Sequence, residues 1–597
     1  GSYSGISGGH SNVALGYAGI VAGGRLNNAT APYASIVGGD VNTAAGFHAA
    51  IGGGLANYAN MCGSIGGGYA NTAGLFATIG GGGGVFDSGQ LVGGHQALGR
   101  WSFIGGGHAN SASGDYSIVS GGTGNTATGY ASTVVGGASS VAAAPYATVG
   151  GHANTAAGYH AAIGGGQVNY AETCGTIGGG YANTAGLCAT IAGGGARFFN
   201  QQLVGGHRAQ GSWSSIGGGH ANTAAASYSV ISGGRDNAAL GYAGCVAGGE
   251  LNNVTASYTF VGGGYTNTVS AQYGAISGGY GNSALGDGAS VGGGFNNAAI
   301  GYAATVVGGE NNLAAASHAT VGGYANTAAG FHAFVGGGRD NYADSFGTIG
   351  GGYGNAAGPY ATVAGGGASI ESDLFLPLVG GQQALGSWSS IGGGHANTAT
   401  AAYSVISGGR NNFALGDATI VAGGAWNNAN EPYSSVAGGF TNVANGYGAV
   451  VGGGLLNTAG HHATVAGGGG SFNAAGDLEY SGNMATGNWS SIGGGLSNIA
   501  RGSLTVVAGG RFNTVFGDNS MVLGGSFNVV NGSSSIGLGT RTSVIHSNSA
   551  VLGFRSDAAS CESIQNSTVS ICAENGLFVN GHRLDNVTAD NQAMLRS

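Results

Sequence analysis

The sequence predicts an all-β fold, a parallel β-roll or solenoid of short coils, and three observations carry that prediction. A glycine pair or triplet preceded by isoleucine or valine returns about every 15 residues, as in Ile51-Gly52-Gly53-Gly54 and Ile65-Gly66-Gly67-Gly68. A unit this short cannot bury a core alone and must stack on its neighbours. The second observation is alternation before the glycines. In Tyr360-Ala361-Thr362-Val363, Ala361 and Val363 fall on one side of an extended strand and Tyr360 and Thr362 on the other. The third is composition: Gly fills 135 of 597 positions, charged residues make up 6%, and there are 5 prolines. Glycine does not fall at every third position, which excludes collagen, and Ile or Val in every unit is not the composition of a disordered chain.

Taken in order, one unit reads Tyr-Ala-Thr-Ile-Gly-Gly-Gly-Tyr-Ala-Asn-Thr-Ala-Gly, with close copies at residues 66–74, 178–186 and 350–358. The stretch before the glycines is a strand, and the glycines permit the positive φ of a tight corner. Asn-Thr-Ala-x-Gly supplies the second corner, with Asn expected in left-handed geometry. Coils spaced about 4.8 Å apart, roughly 37 of them, give a rod on the order of 180 Å long. Columns of Ile/Val, of Ala and of Asn are expected to stack along its axis. The repeat domain spans 1–540; at 541–597 the glycine code stops, and that segment reads as a cap or neck.

One column is unusual. The third residue before the Ile or Val is often large: Phe76, Trp101, Trp213, Phe346, Tyr360, Trp388 and Trp489, with His48, Cys62, Cys174 and Cys188 at equivalent places. Alternation sets this column opposite the Ile column, outside the roll. A row of large apolar groups on a thin rod is a surface to be covered, and packing between parallel subunits is the expectation.

The unit Ile-Gly-Gly-Gly-x-x-Asn-x-Ala-x-Gly-x-Tyr-Ala-x resembles the head repeats of trimeric autotransporter adhesins, the YadA-like left-handed parallel β-roll. The resemblance covers about residues 1–540 in period, glycine placement and the Asn/Ser-x-Ala-x-Gly element. It implies a homotrimer of three chains side by side, outside the cell. Similar repeats occur in fibres of phages and large viruses, so the resemblance implies an attachment fibre on a cell or virion surface. The sequence departs from the family in its glycine triplets and in showing no stalk or C-terminal membrane barrel. It opens in mid-pattern, Ser2-Tyr3-Ser4-Gly5-Ile6 matching Ser227-Tyr228-Ser229-Val230-Ile231. A processed or truncated product, its leader and anchor lying elsewhere, is the expectation.

A longer period overlies the short one: residues 47–122 reappear as 159–234, as 331–409 and more loosely from 461. Each copy carries an irregular insertion before its Trp, at about 80–100, 192–212, 364–387 and 466–488. The insertions concentrate bulky and charged residues: Phe86 and Asp87; Arg197, Phe198 and Phe199; Glu371, Asp373 and Phe375; Asp477 and Glu479. Loops on a rigid scaffold are where recognition sits, so these are the candidate contacts to a surface receptor or glycan. Packing against a neighbouring chain is the competing role.

Catalytic and cofactor chemistry has little support. Asp is sporadic (Asp40, Asp236, Asp340), so the Asp column of a calcium-binding roll is missing. The 6 cysteines contain no CxxC pair, and the 15 histidines fall mostly in repeat positions. No cofactor and no enzyme activity are expected. All 13 basic residues are Arg and the net charge is -9, which argues against nucleic acid. No apolar run reaches the roughly 20 residues of a membrane-spanning helix. Cys561 and Cys572 are the better disulfide candidates; Cys174 and Cys188 occupy one position of consecutive coils, a less suitable geometry. Candidate glycosylation acceptors are Asn28, Asn253, Asn488, Asn531, Asn566 and Asn586. The expected function is a non-enzymatic surface fibre or adhesin. The alternatives are an ice-binding β-roll and a virion spike that degrades a polysaccharide.

Overall fold

The computed structural model describes residues 1–87, 90–199, 202–367, 380–554, 560–573, 577–579 and 582–584. Every regular element among them is a strand. The chain divides into two compact units, Gly1–Asn297 and Ala298–Ser597. Each is a parallel β-solenoid of coils of about 15 residues, and the first face carries 36 strands counted over both units.

The coil at 31–45 shows how the residues build it. Strand Ser35–Ile36 pairs in parallel with Ala50–Ile51 of the next coil, and Thr43–Ala44 pairs with Tyr58–Ala59. Between them Asp40 bridges to Leu55. The interior holds Ala34, Ile36, Asn42 and Ala44, all buried. The roll is thin, so one branched side chain and small partners fill it. Gly39 turns the corner at φ 92°, and a Cβ there would fall on the Gly54 carbonyl oxygen and 2.6 Å from Asn42 Nδ2. The glycine code is therefore both a backbone and a spacing requirement.

Two sequence expectations are corrected. The extended segment is two residues long, not four: Thr362–Val363 is the strand, while Tyr360 lies in the preceding turn at φ 56°. The bulky column does point outward, but turn geometry rather than strand alternation aims it. Second, the repeated Asn is not the left-handed corner. It is buried, and the residue before it takes the left-handed backbone, as at Val41 with φ 56°. The parallel ladders continue past residue 540. Ile536–Thr540 pairs with Ala550–Phe554, which pairs with Val569–Ala573. Here strands of five residues replace the glycine triplets. Cys561 and Cys572 are joined by a disulfide across this last stretch, with Cα atoms 5.9 Å apart.

Candidate functional site: two unlike edges and a buried ladder

Strand, corner, strand, corner gives each coil two faces and two edges. The turn before the first strand forms one edge and carries the bulky column. Phe76, Trp101, Trp213, Phe346, Tyr360, Trp388 and Trp489 all sit there in left-handed backbone, φ 56° to 63°. A left-handed non-glycine residue costs on the order of 1 kcal/mol, and Trp gains nothing locally from that conformation. What it gains is contact along the axis. Phe76 stacks on Trp101 at 4.3 Å, Tyr360 on Trp388 at 4.4 Å and His462 on Trp489 at 4.0 Å. Tyr3, Tyr17, Tyr33 and Phe47 interlock edge to face at 5.5–5.6 Å, using the neighbouring turn position as well. Tyr228, Tyr242 and Tyr258 repeat the pattern. This aromatic edge stays open to solvent: Trp213 is 60% and Trp388 54% exposed. Cys174 and Cys188 belong to it as free thiols. Burial and a hydrogen bond with Cys174 push the Cys188 thiol up.

The insertions leave from the opposite edge. Only part of the first, second and fourth predicted spans departs from the coil, between the bridge residue and the ladder residue that follows, because the flanking strands keep register. Gly83 still bridges His108, and Gln96–Ala97 pairs with Ser111–Ala112. The first excursion is an antiparallel hairpin, Val85–Asp87 with Gln90–Val92, whose first strand holds Phe86 and Asp87. The second pairs Arg197–Phe199 with Gln202–Val204. Glu371, Asp373 and Phe375 lie outside the described residues. The fourth pairs Ser471–Phe472 with Leu478–Tyr480 and lies against its own edge. Phe472 meets Phe440 at 6.1 Å, Tyr480 meets Phe512 at 5.2 Å, and Ser497 Oγ donates to Ser481 O at 2.7 Å. Asp477 NH donates to Asn473 Oδ1 in the hairpin turn, and Glu479 accepts from Ser471 Oγ at 3.3 Å.

Ion pairs gather on this hairpin edge. Arg25 and Asp40 meet at 2.6 Å in successive coils, and Arg235 reaches Glu250. The Arg339 guanidinium lies over the Tyr324 and Tyr353 rings at 4.8 and 5.5 Å. Both edges carry rings and charge: Tyr265, Tyr280 and Phe295 stack at 5.2 and 4.8 Å on the hairpin edge, and Asp115 and Asp518 accept backbone amides on the other; what sets the two apart is the hairpins.

The expected Asn column is present, and what the sequence did not show is that it lies in the interior and bonds from coil to coil. Asn42 Nδ2 donates to Gly38 O and Gly54 O at 3.1 and 3.0 Å, and its Oδ1 accepts the Asn57 amide at 3.0 Å. The same three bonds recur coil after coil, so a carboxamide ladder closes the corner. His95, His207, Gln382 and Asn483 hold the ladder position just after the four insertions, all buried. The signal was present in the sequence, since each is the residue at which the repeat resumes.

Of the candidate glycosylation acceptors, Asn488, Asn531 and Asn566 are exposed. Asn28 and Asn253 lie half-buried in strands with Oδ1 unpaired, and Asn586 is outside the described residues. Among the described residues no group of three or more His, Cys, Asp or Glu is placed to hold a metal ion. The chain is a glycine-rich parallel β-solenoid with side hairpins, and it matches no known family model and no curated protein significantly.

Proposed function

We propose that this protein is a non-enzymatic surface fibre or adhesin, a parallel homotrimer of left-handed β-rolls that projects from a cell or virion and attaches to a receptor or glycan. The observation that carries the reading is the division of labour between the edges. Large rings held in a costly backbone along one edge suit burial against a second and third copy of the chain. Hairpins leaving the opposite edge stay accessible in such an assembly, where each occurs three times at one level and weak contacts add. An ice-ordering face is disfavoured, because the outward column beginning at Thr43 carries Tyr58, Tyr170 and Arg208 among its threonines.

Sedimentation equilibrium tests the assembly: a species of three times the 57.0 kDa chain mass supports it, and a stable monomer at micromolar concentration overturns it. Shortening of a polysaccharide by the purified protein would replace this reading with a degradative spike.

A further inference from the structure

We propose that His95 and His207 are acid-sensitive latches: each neutral imidazole closes the interior ladder at a hairpin root, and its protonation opens the coil beneath that hairpin. The argument begins with which atom must donate. The His95 amide donates to Asn71 Oδ1 at 2.9 Å, and the ring Nδ1 accepts the Asn110 amide at 3.1 Å. His207 repeats both bonds, to Asn183 Oδ1 at 2.9 Å and from the Asn222 amide at 3.1 Å. A backbone amide can only donate, so Nδ1 carries a lone pair and the ring proton is on Nε2. Both rings are 0% exposed. A second proton on Nδ1 would set two donors face to face in a dry interior and strand the Asn110 or Asn222 amide.

The surroundings reinforce this. Nε2 of His95 faces the Gly81 and Gly107 backbone, but in neither ring does Nε2 make a well-formed hydrogen bond. Burial pushes both imidazoles below the ordinary 6.5; charge on His108 or His220 pushes the same way, and backbone groups oppose this only in part. The titratable bridge residues of the adjoining coils are Tyr69 and His108 beside His95, and Tyr181 and His220 beside His207, while Arg100 and Asp115 meet in the turns of the opposite edge. Asp236 lies 4.0 Å from His220 Nδ1, with Arg235 3.9 Å from Asp236. Asp87 and Arg197 are on the hairpin strands themselves. Between the folded pKa and 6.5 the opened coil binds a proton that the closed coil does not. Closure is therefore fully stable above 6.5 and weakens as pH falls below it.

The molecule contains its own controls. At the third and fourth roots the ladder residue is a carboxamide: Gln382 Oε1 accepts the Asn397 amide at 2.9 Å, and Asn483 Oδ1 accepts the Asn498 amide at 2.9 Å. Neither gains a proton in this range. The test is hydrogen exchange of the intact chain from pH 7.5 to 5.0, corrected for intrinsic rates. Protection of the Asn110 and Asn222 amides is expected to fall by up to about tenfold per pH unit below 6.5, while Asn397 and Asn498 hold level. The double variant His95→Asn, His207→Asn is expected to flatten the profile, and Asn483→His to create acid sensitivity at the fourth root. A uniform loss at all four roots, unchanged protection at the first two, or a slope surviving in the double variant overturns the proposal. The comparison among roots within the unmodified chain stands even if a variant fails to fold.

Discussion

At the scale of single residues, the glycines and the ladder asparagines act as one device. The third glycine of a triplet takes a left-handed backbone so that the next coil's carbonyl can come close enough for the Asn amide to reach it. Gly180, at φ 95°, would place a Cβ 2.7 Å from Asn183 Nδ2. Gly180→Ala is therefore expected to destabilise its coil through both strain and a lost bond. Asn183 Nδ2 donates to Gly179 O and Gly194 O, and its Oδ1 accepts the His207 amide. Asn183→Ala strands buried groups on both sides at about 3 kcal/mol, the penalty of unsatisfied polar groups. Because a solenoid opens locally, the measurement is amide exchange in residues 170–210 rather than a global melt. Protection unchanged there would show that the ladder is dispensable.

At the scale of elements, the coil fixes the hairpin and the hairpin adds what the coil lacks. The fourth hairpin rests on Phe440 and Phe512, and each such ring pair contributes about 1 kcal/mol. Phe440→Ala with Phe512→Ala is expected to raise protease cleavage within residues 471–480 by about tenfold, with the flanking coils still protected. Equal cleavage in both proteins would mean that the hairpin needs no such support. For recognition, the insertions gather aromatic and charged residues on segments that leave the coil, where they can anchor a partner even if the aromatic edge is covered. Replacing residues 197–202 and 371–376 by Gly/Ser of equal length is expected to abolish binding on a glycan and cell panel without altering assembly mass. Retained binding would move the contact to the segment after 541.

At the scale of the whole molecule, backbone ladders and stacked columns carry the stability, and the described ion pairs are partly exposed contacts of small worth. The fold is expected to melt above about 50 °C and to shift little in 1 M salt. Strong destabilisation by salt would contradict this. If the aromatic edge is the subunit contact, Trp213→Ala or Trp388→Ala should weaken assembly by about 3 kcal/mol in sedimentation equilibrium. Normal assembly with lost glycan binding would make the edge a recognition ladder instead.

The sequence by itself determined the period, the all-β parallel stacking, the Ile/Val and Ala interior and the glycine corner, because each follows from local backbone chirality repeated in register. It also located the insertions, since an interruption of a regular code is visible without coordinates. Tertiary structure alone decided where the second and third left-handed residues fall. Local preference assigns such a backbone to Asn or Gly; closure of the coil turns Asn42 inward and puts Val41 and Tyr33 in that conformation instead. The same closure separates the aromatic edge from the hairpin edge, though Trp101 follows the first hairpin by only a few residues in the chain. It also makes His95 a ladder residue rather than a loop residue, since only the stacked coil above supplies the Asn110 amide that fixes its proton.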